Sequence, residues 1–463
     1  MQFKLTQEYL ESLRQAIHSD DEKFIAAQIQ ELHPADIAEI FNDLDLEEAK
    51  YIFKRLEEDE AGKVLIEIEE EKREKFLASL TSKEIAEQID NLQSDDAADV
   101  IAELPDKVQD EVLSHLEDSE QASDIVELLN YDENTAGAIM ATELVKVNEN
   151  KSMFECIREL RKHAEDIDTI YTIYVVDDNN KLVGLVSFKQ LITTTLRKPI
   201  KDVCEREVIT VKTNTDKEEV AKIMEKYDLV YVPVVDGLGR LCGRITIDDV
   251  IDVIREEETE DAQKMGAMEA FDEPYMNISL FEIFKKRVGW LIILFIGESL
   301  TAVAIGYFEG EISKAVILVS FIPLIISSGG NTGSQVSTLV IRALSLGEVT
   351  IADWWNILKR ELRVGFLLGL VLGVIGFLRV AAWSSVTGIF DKQTTPVGIC
   401  VGIALMGVVM WGNIVGSLFP LLLKKLKFDP AVSSAPFVAT IVDVTGLIIY
   451  FTVASILLRG IVL

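Results

Sequence analysis

The chain has 463 residues, too many for one ordinary core, and carries a formal net charge of −32 beside 49% hydrophobic residues. The acid excess excludes a nucleic-acid footprint, which needs clustered Lys and Arg. Four scattered cysteines (Cys156, Cys204, Cys242, Cys400) exclude a disulfide framework and any zinc site built on CxxC.

Charge and hydropathy are distributed unevenly. From Val288 onward there are nine acidic and eleven basic residues, whereas 68 acidic and 34 basic residues precede it, a charge of −34 for the first part. An acidic soluble half is therefore joined to a near-neutral hydrophobic half. The N-terminus is polar and has no signal-peptide pattern.

Residues 1–134 read as an acidic, all-α N-terminal domain. A pattern recurs in LHPADIAEIFNDL (Leu32 to Leu44), LTSKEIAEQIDNL (Leu80 to Leu92) and LQSDDAADVIAEL (Leu92 to Leu104). Pro34, Ser82 and Ser94 stand where helix starts are expected. Short amphipathic repeats stack into a superhelix, because no single copy can bury its apolar face alone.

Residues 135–255 switch to alternating strands and helices and also repeat. IYVVDDNNKLVGLVSFKQLI (Ile173 to Ile192) aligns with YVPVVDGLGRLCGRITIDDVI (Tyr231 to Ile251), matching Gly184 to Gly243 and Ser187 to Thr246. DDNN and DGLG are hairpin signals. The paired copies resemble a tandem pair of CBS domains, an α+β regulatory family that often senses adenine nucleotides. Thr246, Asp248 and Asp249 lie where that family often contacts ribose; a hairpin followed by a helix cap is the other reading of the same residues.

Residues 256–284 form a charged connecting helix, followed by the basic collar Lys285-Lys286-Arg287. Five hydrophobic stretches follow, near 288–307, 315–340, 363–383, 397–423 and 432–458, so residues 285–463 are expected to be a five-helix transmembrane domain. The collar, the segment with Arg342, Lys359, Arg360 and Arg363, and the segment with Lys424, Lys425 and Lys427 fall on one side only if all five cross. By the positive-inside rule that side is cytosolic, with the N-terminus inside and the C-terminus external.

Asp443 lies near the middle of the fifth stretch, with no Lys or Arg deep in any span to neutralise it. A membrane carboxylate without a cationic partner marks a cation ligand or a proton carrier. The second stretch contains SSGGNTGSQ, Ser327 to Gln335. Such a segment lines a water-filled path as a broken helix, or packs closely through small residues. Asn331 and Gln335 are four apart and share a helical face, with Gly329 and Gly330 beside them. Asn413 and Glu298 are further polar candidates. The donors are oxygen only, which suits magnesium, calcium or manganese over zinc or copper. Magnesium keeps most of its water, which a single carboxylate would suit.

At this point the chain resembles the MgtE family of magnesium channels over nearly its whole length, most specifically in PLIISSGGNTGSQ (Pro323 to Gln335) and DPAVSSAPFVATIVDVTG (Asp429 to Gly446). The resemblance implies a homodimer in the inner membrane, with a pore on its two-fold axis lined by the second and fifth spans. Asp443 resembles the pore carboxylate that binds hydrated magnesium, with the Ala439 carbonyl one turn before it. Asp429 resembles an acid that meets the connecting helix in the closed state and is counted with the regulatory metal ligands. Ala435 departs from members that carry Asn there. Asp95, Asp99, Asp216, Glu218, Asp228, Asp249, Asp252, Glu257, Glu260 and Asp261 match acids that hold regulatory magnesium between N domain, CBS pair and connecting helix. Each could equally be a solvated surface acid.

The expected function is a magnesium channel closed by cytosolic magnesium, with ATP a candidate ligand of the CBS pair. Two other readings stand beside it: a secondary transporter coupling magnesium to sodium or protons, and a membrane-tethered CBS sensor. No P-loop, HExxH or nucleophile–base constellation suggests an enzyme.

Overall fold

The structure is a computed structural model describing residues 3–30, 32–163, 167, 169–271, 275, 278–310, 316–387 and 394–459. The chain divides into two compact units, Met1–Glu257 and Glu258–Leu463.

The first unit begins with ten helices: α1 (Gln7–His18), α2 (Glu22–Ile29), α3 (Pro34–Asp43), α4 (Leu46–Phe53), α5 (Glu58–Glu67), α6 (Glu70–Leu77), α7 (Ser82–Ile89), α8 (Ser94–Ala102), α9 (Asp106–His115) and α10 (Ser119–Leu128). The three repeat copies are α3, α7 and α8, starting at Pro34, Ser82 and Ser94 as the spacing predicts. Starts are fixed chemically. Asp45 with Glu48, and Thr81 with Glu84, form reciprocal capping boxes ahead of α4 and α7. The repeated apolar positions turn inward: Ile37, Ile40 and Phe41 in α3, Ile85 and Ile89 in α7, Ala97 and Ile101 in α8 are all buried. Alternate helices touch, α3 on α5, α5 on α7, α7 on α9 and α8 on α10, which is the stacking of a short superhelix.

Two equivalent modules follow. The first holds β1 (Lys146–Asn148), α11 (Met153–Lys162), β2 (Thr172–Val176), β3 (Leu182–Ser187) and α12 (Phe188–Thr193). The second holds β4 (Val211–Lys212), α13 (Lys217–Lys226), β5 (Tyr231–Val235), β6 (Leu241–Thr246) and α14 (Ile247–Met265). Each sheet pairs its first two strands parallel and its last two antiparallel, with a register shift at Val175/Val176 and again at Val234/Val235. The matched glycines have the same cause. A Cβ on Gly243 would lie 2.5 Å from the Ala141 carbonyl, and one on Gly184 would run into the Glu205 carbonyl. In both modules an outside segment hydrogen-bonds the strand at that point, through Ala141 with Arg244 and Glu205 with Leu185. The hairpins also match: Asp177 and Asp236 each accept two backbone N–H groups of their own turn.

One hydrophobic core joins the helical domain to the second module, from Leu10 through Ile101 to Val234 and Val253, while the first module keeps a core of its own. The helix α14 then continues unbroken into the charged segment as far as Met265. The connecting helix expected over 256–284 is thus the continuation of α14 and stops after about a third of that range, where Gly266 follows; residues 272–274, 276 and 277 lie outside the described residues.

The second unit is built on α15 (Leu280–Tyr307), α16 (Ile322–Ser345), α17 (Trp354–Thr387), α18 (Thr394–Lys425) and α19 (Ala435–Leu457). Helices α15, α17, α18 and α19 are long and apolar enough to cross a membrane by length and composition. Helix α16 has 24 residues, but its Ser, Thr, Asn, Gln and Gly run sets its composition apart. That run does not break the helix. Its glycines pack it: a Cβ on Gly412 would lie 2.6 Å from the Gly329 carbonyl, and one on Gly333 3.1 Å from Val438. Gly329-Gly333 on α16 face Gly412-Gly416 on α18, a pair of small-xxx-small seams that lets backbones approach where water cannot drive association. Gly373 and Gly402 form the same contact between α17 and α18. The turn ahead of α19 is tied to α16 by hydrogen bonds from Ser337 to the Ser433 carbonyl (3.0 Å) and from Ser334 to the Ala435 carbonyl (2.9 Å).

Candidate ion-binding sites

Asp443 stands on α19 opposite Gly330 of α16. Its Oδ1 is buried and has no hydrogen-bond partner among the described residues. A Cβ on Gly330 would lie 2.9 Å from that oxygen and 3.4 Å from the Ala439 Cβ. Glycine at 330 therefore makes room for the carboxylate against the backbone of α16. The helix is continuous through Ala439, so the Ala439 carbonyl already accepts the N–H four residues on and keeps one lone pair. Nearby, Trp411 donates its indole N–H to Thr445 Oγ1 (2.8 Å), bracing the turn after Asp443. A Cβ on Gly297 of α15 would lie 2.8 Å from Thr440 Cγ2, which places Glu298 beside the same helix.

The other residues of the glycine-rich run separate by face. Gly329 and Gly333 are buried at the seam with Val408, Val442 and α18, so Gly329 is a packing position and not part of a lined path within the chain. Ser327, Asn331 and Gln335 form an exposed polar stripe, with Asn331 donating to Ser327 Oγ (3.3 Å). Asn413 is fully buried. Its Nδ2 reaches Glu361 (3.2 Å to the carboxylate), and its Oδ1 has no partner among the described residues.

At the start of the second unit, Lys264 on α14 pairs with Glu260 (2.6 Å) and with Asp429 (2.7 Å). Asp429 also caps the 3-10 turn before α19 by accepting the Ala431 N–H. Asp261 accepts a hydrogen bond from Ser345 at the end of α16 (2.8 Å). Two acids expected as metal ligands, Glu260 and Asp429, thus share a lysine. Burial lowers the Lys264 pKa and the two carboxylates more than offset it, so the ammonium is held charged.

Within the first unit, α8 brings Asp95, Asp96 and Asp99 against the start of α14 with Asp248 and Asp249. The pairing follows from the shared core, since the apolar faces that bury Ala97, Ile101, Val250 and Val253 leave these acids at the seam. Burial, and then mutual repulsion, raises the carboxyl pKa values: Asp96 to about 7, Asp99 and Asp249 to about 6, with Asp95 also raised well above its ordinary value. Arg73 eases Asp99, but its guanidinium is already engaged by Glu103. Beside them Glu143 binds Ser94 through both oxygens (3.0 and 2.9 Å). No group of three or more acidic, His or Cys side chains among the described residues is already arranged around one point. The cluster is thus a repelling seam that a divalent ion would neutralise, not a preformed cage.

The remaining candidates lie apart or are engaged locally. Thr246, Asp248 and Asp249 form a hydrogen-bonded cap: Asp249 accepts from the Thr246 N–H (3.2 Å) and hydroxyl (2.8 Å). These bonds cap the start of α14. Asp216 caps α13 by accepting the Glu218 N–H (2.9 Å), Glu218 pairs with Lys222, and Asp228 is an exposed residue with φ 51°. Asp252 is exposed and pairs with Arg255 (3.3 Å). Glu257 sits on α14, half-buried. Sequence reasoning missed Asp96, Glu143 and Lys264. Asp96 was detectable, being one helical turn from Asp99; Glu143 and Lys264 meet their partners only through the tertiary fold.

Comparisons with known proteins cover the helical domain, the twin modules and the C-terminal helices. Residues 322–453 match the MgtE family described as a divalent cation transporter, residues 32–134 the MgtE intracellular N domain, and residues 136–196 and 200–256 the CBS domain. The chain is similar to the magnesium transporter MgtE of Thermus thermophilus, 39% identical over 73% of each chain. It is likewise similar to that of Enterococcus faecalis, 36% identical over 74% of this chain and 73% of the relative. Among solved structures, the cytosolic domain of the Mg2+ channel MgtE in complex with ATP superposes with TM-score 0.50 at 33% identity, covering 53% of this chain and 99% of the other. The soluble part of a magnesium transporter does so with TM-score 0.50 at 31% identity, covering 54% and 98%.

Proposed function

We propose, because this chain belongs to the MgtE family of divalent cation transporters and is a magnesium-transporting membrane protein, that it carries magnesium as a channel and is closed by cytosolic magnesium. The observation that carries the reading is the buried, unpartnered Oδ1 of Asp443, held against α16 by the space at Gly330. A charged group at mid-membrane costs about 2.5–3.5 kcal/mol on insertion scales, a cost met when it faces water and a cation. Asp443, with the free lone pair of the Ala439 carbonyl, would hold the ion through its hydration shell, since magnesium dehydrates reluctantly.

A single chain supplies one such carboxylate and one exposed polar stripe, Ser327, Asn331 and Gln335. A second copy placing its own stripe opposite would enclose a path lined by both, so the working form is a homodimer. The basic segments at the start of α15, around the link from α16 to α17 and at the end of α18 support, with α16 counted as a fifth crossing, an acidic unit in the cytosol of an inner-membrane protein and a C-terminus outside.

Closure follows from electrostatics. Asp95, Asp96, Asp99 and Asp249 repel one another across the α8–α14 seam. Cytosolic magnesium binding there neutralises the seam and favours the conformation in which it is closed. An adenine nucleotide, as in the related cytosolic domain solved with ATP, is a further ligand for the CBS pair.

The decisive experiment is magnesium flux into proteoliposomes with Asp443→Ala. Loss of flux supports the pore assignment, and wild-type flux overturns it. Current that follows the magnesium gradient without sodium or proton dependence separates a channel from a coupled transporter.

A further inference from the structure

Between the first turn of α17, the second half of α18 and the first third of α19 lies a groove of about 600 Å³. Its walls include Trp354, Trp411, Leu418, Leu422 and Ile441, and the one charged side chain lining it among the described residues is Lys425. Trp354 and Leu422 are each 49% exposed, so the groove is open on its outer side. Lys425 is exposed, and no acidic partner is found for it among the described residues.

The two ends of the groove differ in chemistry. At one end Trp354 lies tilted against Trp355 (5.4 Å between rings), and the Lys359 ammonium lies 5.0 Å over the Trp355 ring. Tryptophans with lysines at the end of apolar helices mark the headgroup level of a bilayer. Lys424 and Lys425 close α18 at this end, with Lys427 two residues beyond. The opposite end is aliphatic and aromatic, reaching Ile441 and Trp411. A ligand that fits has an apolar chain and an anionic head.

We propose that this groove is a binding site for an anionic glycerophospholipid, one acyl chain lying along Trp411, Leu418 and Ile441 with the phosphate beside Lys425. Basic pockets between membrane helices select anionic headgroups in this way. A zwitterionic lipid brings the same chains, but its own cation competes with Lys425 for the phosphate. The site bears on the ion path: Ile441 is two residues before Asp443, and Trp411 is bonded to Thr445, two residues after it. That last link rests on the proposed role of Asp443; the binding itself does not.

The test uses the full chain in nanodiscs, with W290F, W355F and W383F leaving Trp354 and Trp411 as the emitters. Phosphatidylcholine discs receive the same minor fraction of either brominated phosphatidylglycerol or brominated phosphatidylcholine, and tryptophan quenching is read. Phosphatidylglycerol should be enriched about fivefold at the site, as expected for one lysine near the headgroup. K425E, a surface change that leaves the fold intact, should bring its quenching down to that of phosphatidylcholine. Equal quenching by both lipids, or a K425E profile like that of the unsubstituted background, overturns the site. So does efficient cross-linking of L422C between two copies, which would make a second chain the occupant. Magnesium flux is absent from this assay, so its failure is distinct from failure of the channel reading.

Discussion

Lys264 and Asp429 form an ion pair of 2.7 Å that ties the last turn of α14 to the turn preceding α19. Contacts on either side reinforce it. Asp429 Oδ1 accepts the Ala431 N–H, and one turn before Lys264 the Asp261 carboxylate accepts from Ser345 at the end of α16. The last turns of α14 thus hold the near ends of both α16 and the helix that carries Asp443.

Replacing Lys264 with Met should therefore loosen the ends of α16 and α19 and raise magnesium flux at high internal magnesium. The charge-swapped double variant Lys264→Asp with Asp429→Lys should restore closure, because the pair is local. The measurement is flux at saturating internal magnesium for the single and double variants. Unchanged flux in Lys264→Met would show that the pair has no part in closure.

Gly330 and Gly412 make contrasting probes of α16. In Gly330→Ala the new methyl meets the end of a movable side chain, Asp443 Oδ1 at 2.9 Å. The protein should fold, and flux should fall because the carboxylate is displaced. In Gly412→Ala the methyl meets backbone, the Gly329 carbonyl at 2.6 Å, so helices must separate. Overpacking of this kind costs about 1–3 kcal/mol, and the expected outcome is lower thermal stability in detergent. Equal stability of the two variants would contradict the seam.

Neutralising Asp95, Asp96, Asp99 and Asp249 together should leave a protein that conducts but fails to close as internal magnesium rises. Asp252→Asn should do little, since that acid is exposed and already paired with Arg255. Isothermal titration of magnesium into the acidic unit checks both statements: binding should weaken strongly in the fourfold variant and hardly at all in Asp252→Asn.

The same seam sets a pH dependence in the absence of divalent ions. Asp96 titrates near pH 7 and Asp99 and Asp249 near 6, all above the ordinary Asp value of 3.8. The folded seam therefore holds protons that the separated acids release. Its stability is full at or below about pH 4 and falls as pH rises through 6 to 7. With EDTA present, the unfolding temperature of the acidic unit should decline across that range. Saturating magnesium should remove most of the decline, because a bound cation replaces the protons. A flat profile in EDTA would show that the acids do not face one another.

Much of the architecture is legible in the amino-acid sequence. The starts at Pro34 and Ser82 follow from local capping by His33 and Thr81, whereas the Ser94 N–H is met by the distant Glu143; the twin modules follow from a repeat in which Gly184 and Gly243 recur because a neighbouring backbone closes on each strand. Asp443 stands out because an acid amid apolar residues is costly wherever the helix packs. The glycine-rich run is legible as special but not as to purpose, since close packing and a lined path call for the same small residues. The structure assigns Gly329 and Gly333 to packing, Gly330 to the space beside Asp443, and Asn331 and Gln335 to an exposed stripe.

Composition and periodicity alone determined the acidic unit, the repeat modules, the long apolar helices and the carboxylate among them, because each depends on neighbours within a few turns of chain. Which acids meet was decided by tertiary packing. Asp96 faces Asp249, Glu143 binds Ser94 and Lys264 reaches Asp429 across separations of 153, 49 and 165 residues. Those encounters depend on how apolar faces dock, and surface charge along a sequence carries no record of which face will lie opposite.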